Sequence, residues 1–300
     1  MVSLIQGYRM TGKNERAMRS PLEQARRRFA KNRAALAACL FLLLLVVVAA
    51  TSPLFQGGLL CDPAAQDLSA ALRPPSASHP FGTDALGRDV LARTIAGARI
   101  SLLVGLLATL VTLVIGVAYG SIAGFAGGAA DTIMMRAVDV LYTLPFIFFV
   151  ILLLSLFERS FLMLFAALGA VQWLTMARMV RGQILSLKER DFVSAARAVG
   201  AGPIRIVSRH LLPNALGIVI VYATLTVPVI ILQESFLSFL GLTVPGQEHS
   251  WGTLLSEAVE CVNPVNISWW LIVFPGSALT ATLLALNFLG DGLRNALDPR

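Results

Sequence analysis

Six long apolar runs alternate with polar stretches along the chain, and this pattern predicts an all-α protein that crosses a membrane six times. The runs are Ala34 to Ala50, Ile100 to Phe125, Val138 to Phe157, Phe161 to Met179, Ala215 to Leu232 and Leu271 to Leu289. Each is close to the roughly 20 residues that carry a helix through a bilayer. Pro145 breaks the third run and Pro228 lies inside the fifth. In the second, Gly116, Gly120 and Gly124 recur at every fourth residue. Such a stripe lets helices approach closely in lipid, either within one subunit or between two. Trp269 and Trp270 open the sixth run as an interfacial anchor.

The polar stretches set the orientation. Residues Met1 to Arg33 carry nine Lys or Arg against two acids, with Arg26, Arg27 and Arg28 adjoining the first run, which places the N-terminus in the cytoplasm. Leu242 to Ser268 holds Glu248, Glu257 and Glu260 and no Lys or Arg, as an external loop should. An even number of crossings returns the C-terminus to the cytoplasm. The expected divisions are 1–33, a basic tail; 34–53, the first span; 54–99, an external loop with an interfacial helix; 100–290, a core with a cytoplasmic loop at 178–214; and 291–300, a cytoplasmic tail. The interfacial helix rests on Leu86, Val90 and Ile95 alternating with Arg88, Asp89 and Arg93. The basic lead and the Ala49-Ala50 end of the first run admit a cleavable signal peptide, but so long a basic region favours an uncleaved anchor.

Composition agrees with the pattern: 56 % of the 300 residues are hydrophobic and only 14 % are charged, far from the averages for soluble domains. The net charge of +7 would point to nucleic acid in a soluble chain. Here the basic residues flank apolar spans and lack regular aromatic interleaving, so the bilayer is the expected partner and nucleic acid is not. No phosphate-binding GxxxxGK[ST], no HExxH and no GxSxG occurs, so neither a cofactor nor a catalytic site is expected. His79, His210 and His249 fall on opposite sides of the membrane, which argues against a metal site shared among them. Of three cysteines, Cys39 lies in a span, while Cys61 and Cys261 are both external, where a disulfide between them could persist. Glu234, at the outer end of the fifth run, is expected either to gate an outer mouth or to make a structural hydrogen bond there.

The most distinctive polar stretch is Arg178 to Asn214. Phe192, Ala195, Ala196 and Val199 fall at i, i+3, i+4 and i+7, the spacing of one apolar helix face. Gly200 and Gly202 end that helix, Pro203 opens a second, Ile204, Val207 and Leu211 share one side of it, and Pro213 is expected to stop it. A pair this short must pack on the membrane domain or on another protein.

The order Ala195-Ala196, Gly200 and His210-Leu211-Leu212-Pro213 resembles the EAA loop of the membrane subunits of ATP-binding-cassette (ABC) importers, with Ser194 where Glu is usual and His210 where Ile is usual. With FGTDALGRD before the second span, ESFLSFLGL and the closing NFLGDGLRNALDP, the chain is similar to the OppC-type (DppC/OppC) permease subunits of bacterial oligopeptide and dipeptide importers. The resemblance implies a type I importer fold in the inner membrane. It also implies four partners: a second, OppB-like permease, two ATP-binding subunits (OppD/OppF-like) and an external OppA-like peptide-binding protein. The first loop helix would then be the coupling helix, with Phe192, Ala195, Ala196 and Gly200 as its contact core and Arg190, Asp191 and Arg197 at the rim. ATP hydrolysis would lie on the other subunits. Related permeases carry other small solutes such as nickel, and an ion-gradient transporter is the alternative of a different class; the latter usually needs mid-span acids or two related halves.

Overall fold

The structure, a computed structural model, describes residues 21–55, 61–157, 160–242, 249–261 and 267–297. Most of the basic tail, Glu248 and the last three residues lie outside these. The described residues form helices joined by irregular segments. They are α1 (Pro21–Lys31), α2 (Arg33–Thr51), α3 (Val90–Ala126), α4 (Gly128–Tyr142), α5 (Phe146–Leu156), α6 (Phe161–Lys188), α7 (Asp191–Ala198), α8 (Pro203–Ile206), α9 (Leu212–Phe239), α10 (Trp251–Glu260) and α11 (Trp270–Leu297).

Among the described residues, five uninterrupted helical paths are long and apolar enough to cross a membrane, and α4 with α5 makes a sixth crossing bent by 87°. The bend falls at Thr143 to Pro145. Proline disfavours helical geometry in the residue before it and has no N–H to give to the preceding turn. The third span therefore begins at Gly128, and the segment expected to be a cytoplasmic turn, Gly127 to Ala137, is mostly the first arm of this broken span. The last span likewise runs on as helix to Leu297, so Asp291 to Leu297 is the end of α11 and not a loose tail.

The centre of the fold is the seam between α3 and α6. A Cβ on Gly116 would lie 2.6 Å from Met176 Cβ, one on Gly120 would strike the Ala177 carbonyl oxygen, and one on Gly124 would come within 2.9 Å of the Arg181 carbonyl oxygen. The glycine stripe thus serves packing inside this subunit, where the only way for two backbones to come so close is to omit the side chain. Tyr119 and Trp173 meet edge to face across the same seam, with ring centroids 4.9 Å apart. α9 and α11 pack against this pair, and α1 and α2 lie along α11.

Of the interfacial helix expected at 79–101, only the part from Val90 onward is helical. Residues 79–89 fold as a tight loop, and from Val90 onward the chain is already the second span. Asp89 starts that helix, its Oδ1 accepting from Ala92 N at 2.8 Å. The alternating charges that read as a water-facing surface are folded inward. Asp84 Oδ1 accepts from the backbone of Leu86 and Arg88, each at 2.9 Å. Arg93, only 1 % exposed, donates from Nη1 to Asp84 Oδ2 at 2.6 Å and to Glu257 Oε2 at 2.7 Å. Arg88 joins the same two acids. The pairing is intramolecular, between the loop, α3 and α10, which a local charge pattern cannot reveal.

Candidate functional site

The cytoplasmic loop is built from the end of α6, α7 and α8. α6 continues past the apolar run to Lys188, whose Nζ donates to the Phe125 carbonyl at the end of α3. Two acids on α4 hold the same stretch of α6: Arg181 makes a two-pronged pair with Asp131, and Arg178 reaches Asp139 at 3.0 Å while lying over the Tyr142 ring. The chain then turns at Arg190 into α7.

Gly200 ends α7 in the left-handed conformation, φ +81°. Gly200 N donates to the Arg197 carbonyl at 2.9 Å and Ala201 N to the Ala196 carbonyl at 3.0 Å. These are the two bonds of a Schellman stop, which reverses the chain with little loss of backbone pairing and favours glycine at the left-handed position.

After α8 the chain does not stop at Pro213. Val207–Leu211 form a π-helical turn, and Pro213 follows it as the second residue of α9, so the helix widens where the proline has no N–H to give. Pro203 to Phe239 is therefore one continuous helical path. Helix α8 is thus continuous with the fifth span through the π-helical turn.

The two faces of the loop differ from those read off the periodicity. Val193, Ala196, Ile206 and Leu211 are buried, in one cluster with Met176, Val180 and Ile184 of α6 and Ala215 and Val219 of α9. The outer face presents Phe192, 38 % exposed, Val199, 85 %, and Ile204, 84 %, with Arg190, Asp191, Ala195, Arg197 and Gly200 also exposed. So Ala196 belongs to the inner face, not to a contact core, and Ile204 faces outward, opposite to Leu211. The spacing of Phe192, Ala195, Ala196 and Val199 is helical, as read, but an eight-residue helix with apolar groups on both sides has no single face for periodicity to find. Val193, which anchors α7, escapes the periodic pattern because its i+3 partner, Ala196, also belongs by spacing to the set that holds Phe192 and Val199.

Glu234 lies inside the fold of this subunit. It is fully buried in α9, accepting from Ser238 Oγ at 3.0 Å, Ser101 Oγ at 3.3 Å and Ser235 Oγ at 3.4 Å. Ser101 in turn accepts from the Trp251 backbone N–H at 3.4 Å, so the carboxyl group ties α9, α3 and the start of α10 together. Of the two readings of this residue, the enclosing hydroxyls support the structural hydrogen bond.

Helix α10 lies within the stretch expected as an external loop. Its signal was present: Ser250 caps it, with Trp251, Leu254, Leu255 and Ala258 at helical spacing. Trp251 is fully buried beneath it, donating from Nε1 to the Thr94 carbonyl at 3.0 Å, and a Cβ on Gly97 would strike the backbone oxygen of His249. Cys61 and Cys261, offered as a disulfide pair, are both free thiols, Cys61 exposed and Cys261 half-buried.

A groove of about 690 Å³ runs between α6, α9 and α11 and includes Gln172, Thr175, Tyr222, Thr226 and Arg294 in its wall. Gln172 Nε2 donates to Gln233 Oε1 at 2.9 Å beside it.

Five helices able to cross a membrane, a sixth crossing broken between α4 and α5, and a cytoplasmic loop with an apolar outer face are the features of a polytopic membrane protein. The family described as the binding-protein-dependent transport system inner membrane component matches residues 116–300, and the chain belongs to that family, with the type I ABC permease fold. Within it the chain is of the OppC type: the N-terminal transmembrane domain of oligopeptide transport permease C matches residues 20–75. The oligopeptide transport system permease protein OppC of Escherichia coli is 48 % identical over 282 residues, covering 94 % of this chain and 92 % of that protein. The corresponding Haemophilus influenzae protein is 46 % identical, covering 94 % and 89 %. The Bacillus subtilis dipeptide transport system permease protein DppC is 44 % identical over 278 residues, covering 93 % and 85 %. The chain is an inner-membrane transport permease.

Proposed function

We propose that this subunit forms half of the translocation path of an oligopeptide importer, paired with a second permease and driven by two cytoplasmic ATPases through α7. Its substrate is delivered by an external peptide-binding protein, and ATP hydrolysis takes place on the ATPase subunits. The observation that carries the reading is the loop's division into two faces: Val193, Ala196, Ile206 and Leu211 lock it onto α6 and α9, while Phe192, Val199 and Ile204 stand apolar and exposed on the cytoplasmic side. Apolar groups gathered at one exposed place mark a protein contact. A ligand or partner can shift a conformational equilibrium only through contacts that differ between its states. An ATPase cleft that grips the outer face would meet that condition, because moving α7 and α8 moves the rigid end of α9.

In this reading the groove between α6, α9 and α11 contributes to the peptide path. Its amide, hydroxyl and guanidinium groups suit peptide backbone better than lipid chains. The test is reconstitution of the tagged subunit with whatever co-purifies from gentle detergent. A second permease and ATPases in the complex, with ATPase activity stimulated by the binding protein loaded with oligopeptide, is the expected result. Stimulation by dipeptides alone would move the chain to the dipeptide branch, and stimulation by nickel to that of another small solute. Uptake into liposomes under an ion gradient without ATP would overturn the proposal.

A further inference from the structure

Three side chains far apart in sequence meet on the external face: Cys61, where the described chain resumes after α2, His79 in the loop, and Asp89 at the start of α3. One donor atom from each, a thiol sulfur, a ring nitrogen and a carboxylate oxygen, lies within 4.8 Å of the other two. His79 Nδ1 and Asp89 Oδ2 are already 2.8 Å apart. Asp89 is buried, and its second oxygen is fixed by capping Ala92, so this carboxylate has one orientation. The loop that carries His79 is closed by the pairing of Thr83 with Asp89 and by the His79 carbonyl, which accepts from Ser76 N and Gly82 N. Two of the three donors are thus held in place before any ligand arrives, and Cys61 is exposed and can swing onto them.

We propose that Cys61, His79 and Asp89 form a zinc-type divalent cation site on the external surface of this permease, a structural clasp separate from the transport path. One sulfur, one imidazole and one carboxylate make the mixed, borderline-soft donor set that suits Zn²⁺, with water in the fourth position. Metal–ligand bonds of about 2.0–2.3 Å bring tetrahedral donors to roughly 3.3–3.7 Å from one another, so the His79–Asp89 pair must open from its 2.8 Å hydrogen bond by about 0.5–0.9 Å, and the thiol, within 4.8 Å of both, must close by at most about 1.5 Å. Binding would release the thiol proton and fasten the exit of α2 to the first turn of α3. That clasp would order the external loop over the Asp84–Arg93–Glu257 cluster.

The test uses the assembled transporter, stripped with chelator, loaded with Zn²⁺ and dialysed, with Co²⁺ loaded in parallel. Wild type is expected to retain one more equivalent of zinc per complex than Cys61→Ser or His79→Gln, and its Co²⁺ form to show a thiolate-to-metal charge-transfer band. A Cys39→Ser/Cys261→Ser variant should keep both the equivalent and the band. Because Cys61 is exposed, Cys61→Ser should elute and melt like the metal-free wild type. The proposal is overturned by equal zinc in wild type and Cys61→Ser, by a cobalt band that survives Cys61→Ser, or by isolation of the protein with Cys61 and Cys261 joined as a disulfide.

Discussion

The outer face of the coupling loop can be separated from its inner face by a matched pair of changes. Val199 and Ile204 are 85 % and 84 % exposed, whereas Val193 is fully buried. The double variant Val199→Ala/Ile204→Ala removes five carbons that touch nothing in the free subunit, so its melting temperature should match wild type. If docking covers about half of those carbons at about 0.8 kcal/mol per buried CH₂, attachment of the ATPases weakens by about 2 kcal/mol, roughly 30-fold. Val193→Ala instead opens a cavity under α7 and should lower the subunit's own stability by about 2 kcal/mol, with any loss of docking following from that. The assay is ATPase retention on immobilised permease heterodimer as ATPase concentration is lowered, alongside thermal unfolding of the same preparations. Retention of the ATPases by the double variant at wild-type affinity, with release by Val193→Ala alone, would refute the assignment of the two faces.

Arg93→Ala removes the buried one of the two guanidinium groups that bridge Asp84 and Glu257, leaving Arg88, and should destabilise the protein by about 1–3 kcal/mol, read by thermal unfolding; an unchanged midpoint would mean that Arg88 alone satisfies both acids. Glu234→Gln is expected to leave uptake near wild type, since the amide oxygen can still accept from one of Ser101 and Ser238 while the amide NH2 donates to the other hydroxyl, which rotates to accept. Glu234→Leu should cost about 1–3 kcal/mol by stranding those hydroxyls, and loss of uptake in Glu234→Gln at unchanged stability would restore the gate. Gly120→Leu forces α3 away from α6 and should destabilise by at least about 1–3 kcal/mol; a soluble, normally melting variant would show that the seam can open. Gly200→Val must adopt φ near +81° against its Cβ, at about 1–2 kcal/mol, and is expected to lower uptake per ATP hydrolysed while the subunit still reaches the membrane.

The number of spans, their orientation and the position of the loop were legible in the sequence because they depend on quantities that add along the chain. Bilayer thickness fixes how many consecutive apolar residues make a span, and the placement of Lys and Arg fixes which ends stay inside. The glycine stripe was legible as a close contact, but its partner was not: Gly116, Gly120 and Gly124 meet α6, which begins some 35 residues after α3 ends, and spacing carries no information across such a gap. The same limit explains Arg93. Its neighbours in sequence made it look water-facing, whereas Glu257, 164 residues away, supplies the partner that makes burial tolerable.

Tertiary structure also decided the faces of the coupling loop and the fate of Pro213. A short helix with apolar residues all round is assigned its inside and outside only by the groove it rests in. A proline ends a helix or begins one according to whether its missing N–H was needed, and here the π-helical turn before it settles that in favour of continuity. Local pattern determined what each segment is; which sides of those segments face each other was set by contacts between residues that the sequence keeps far apart.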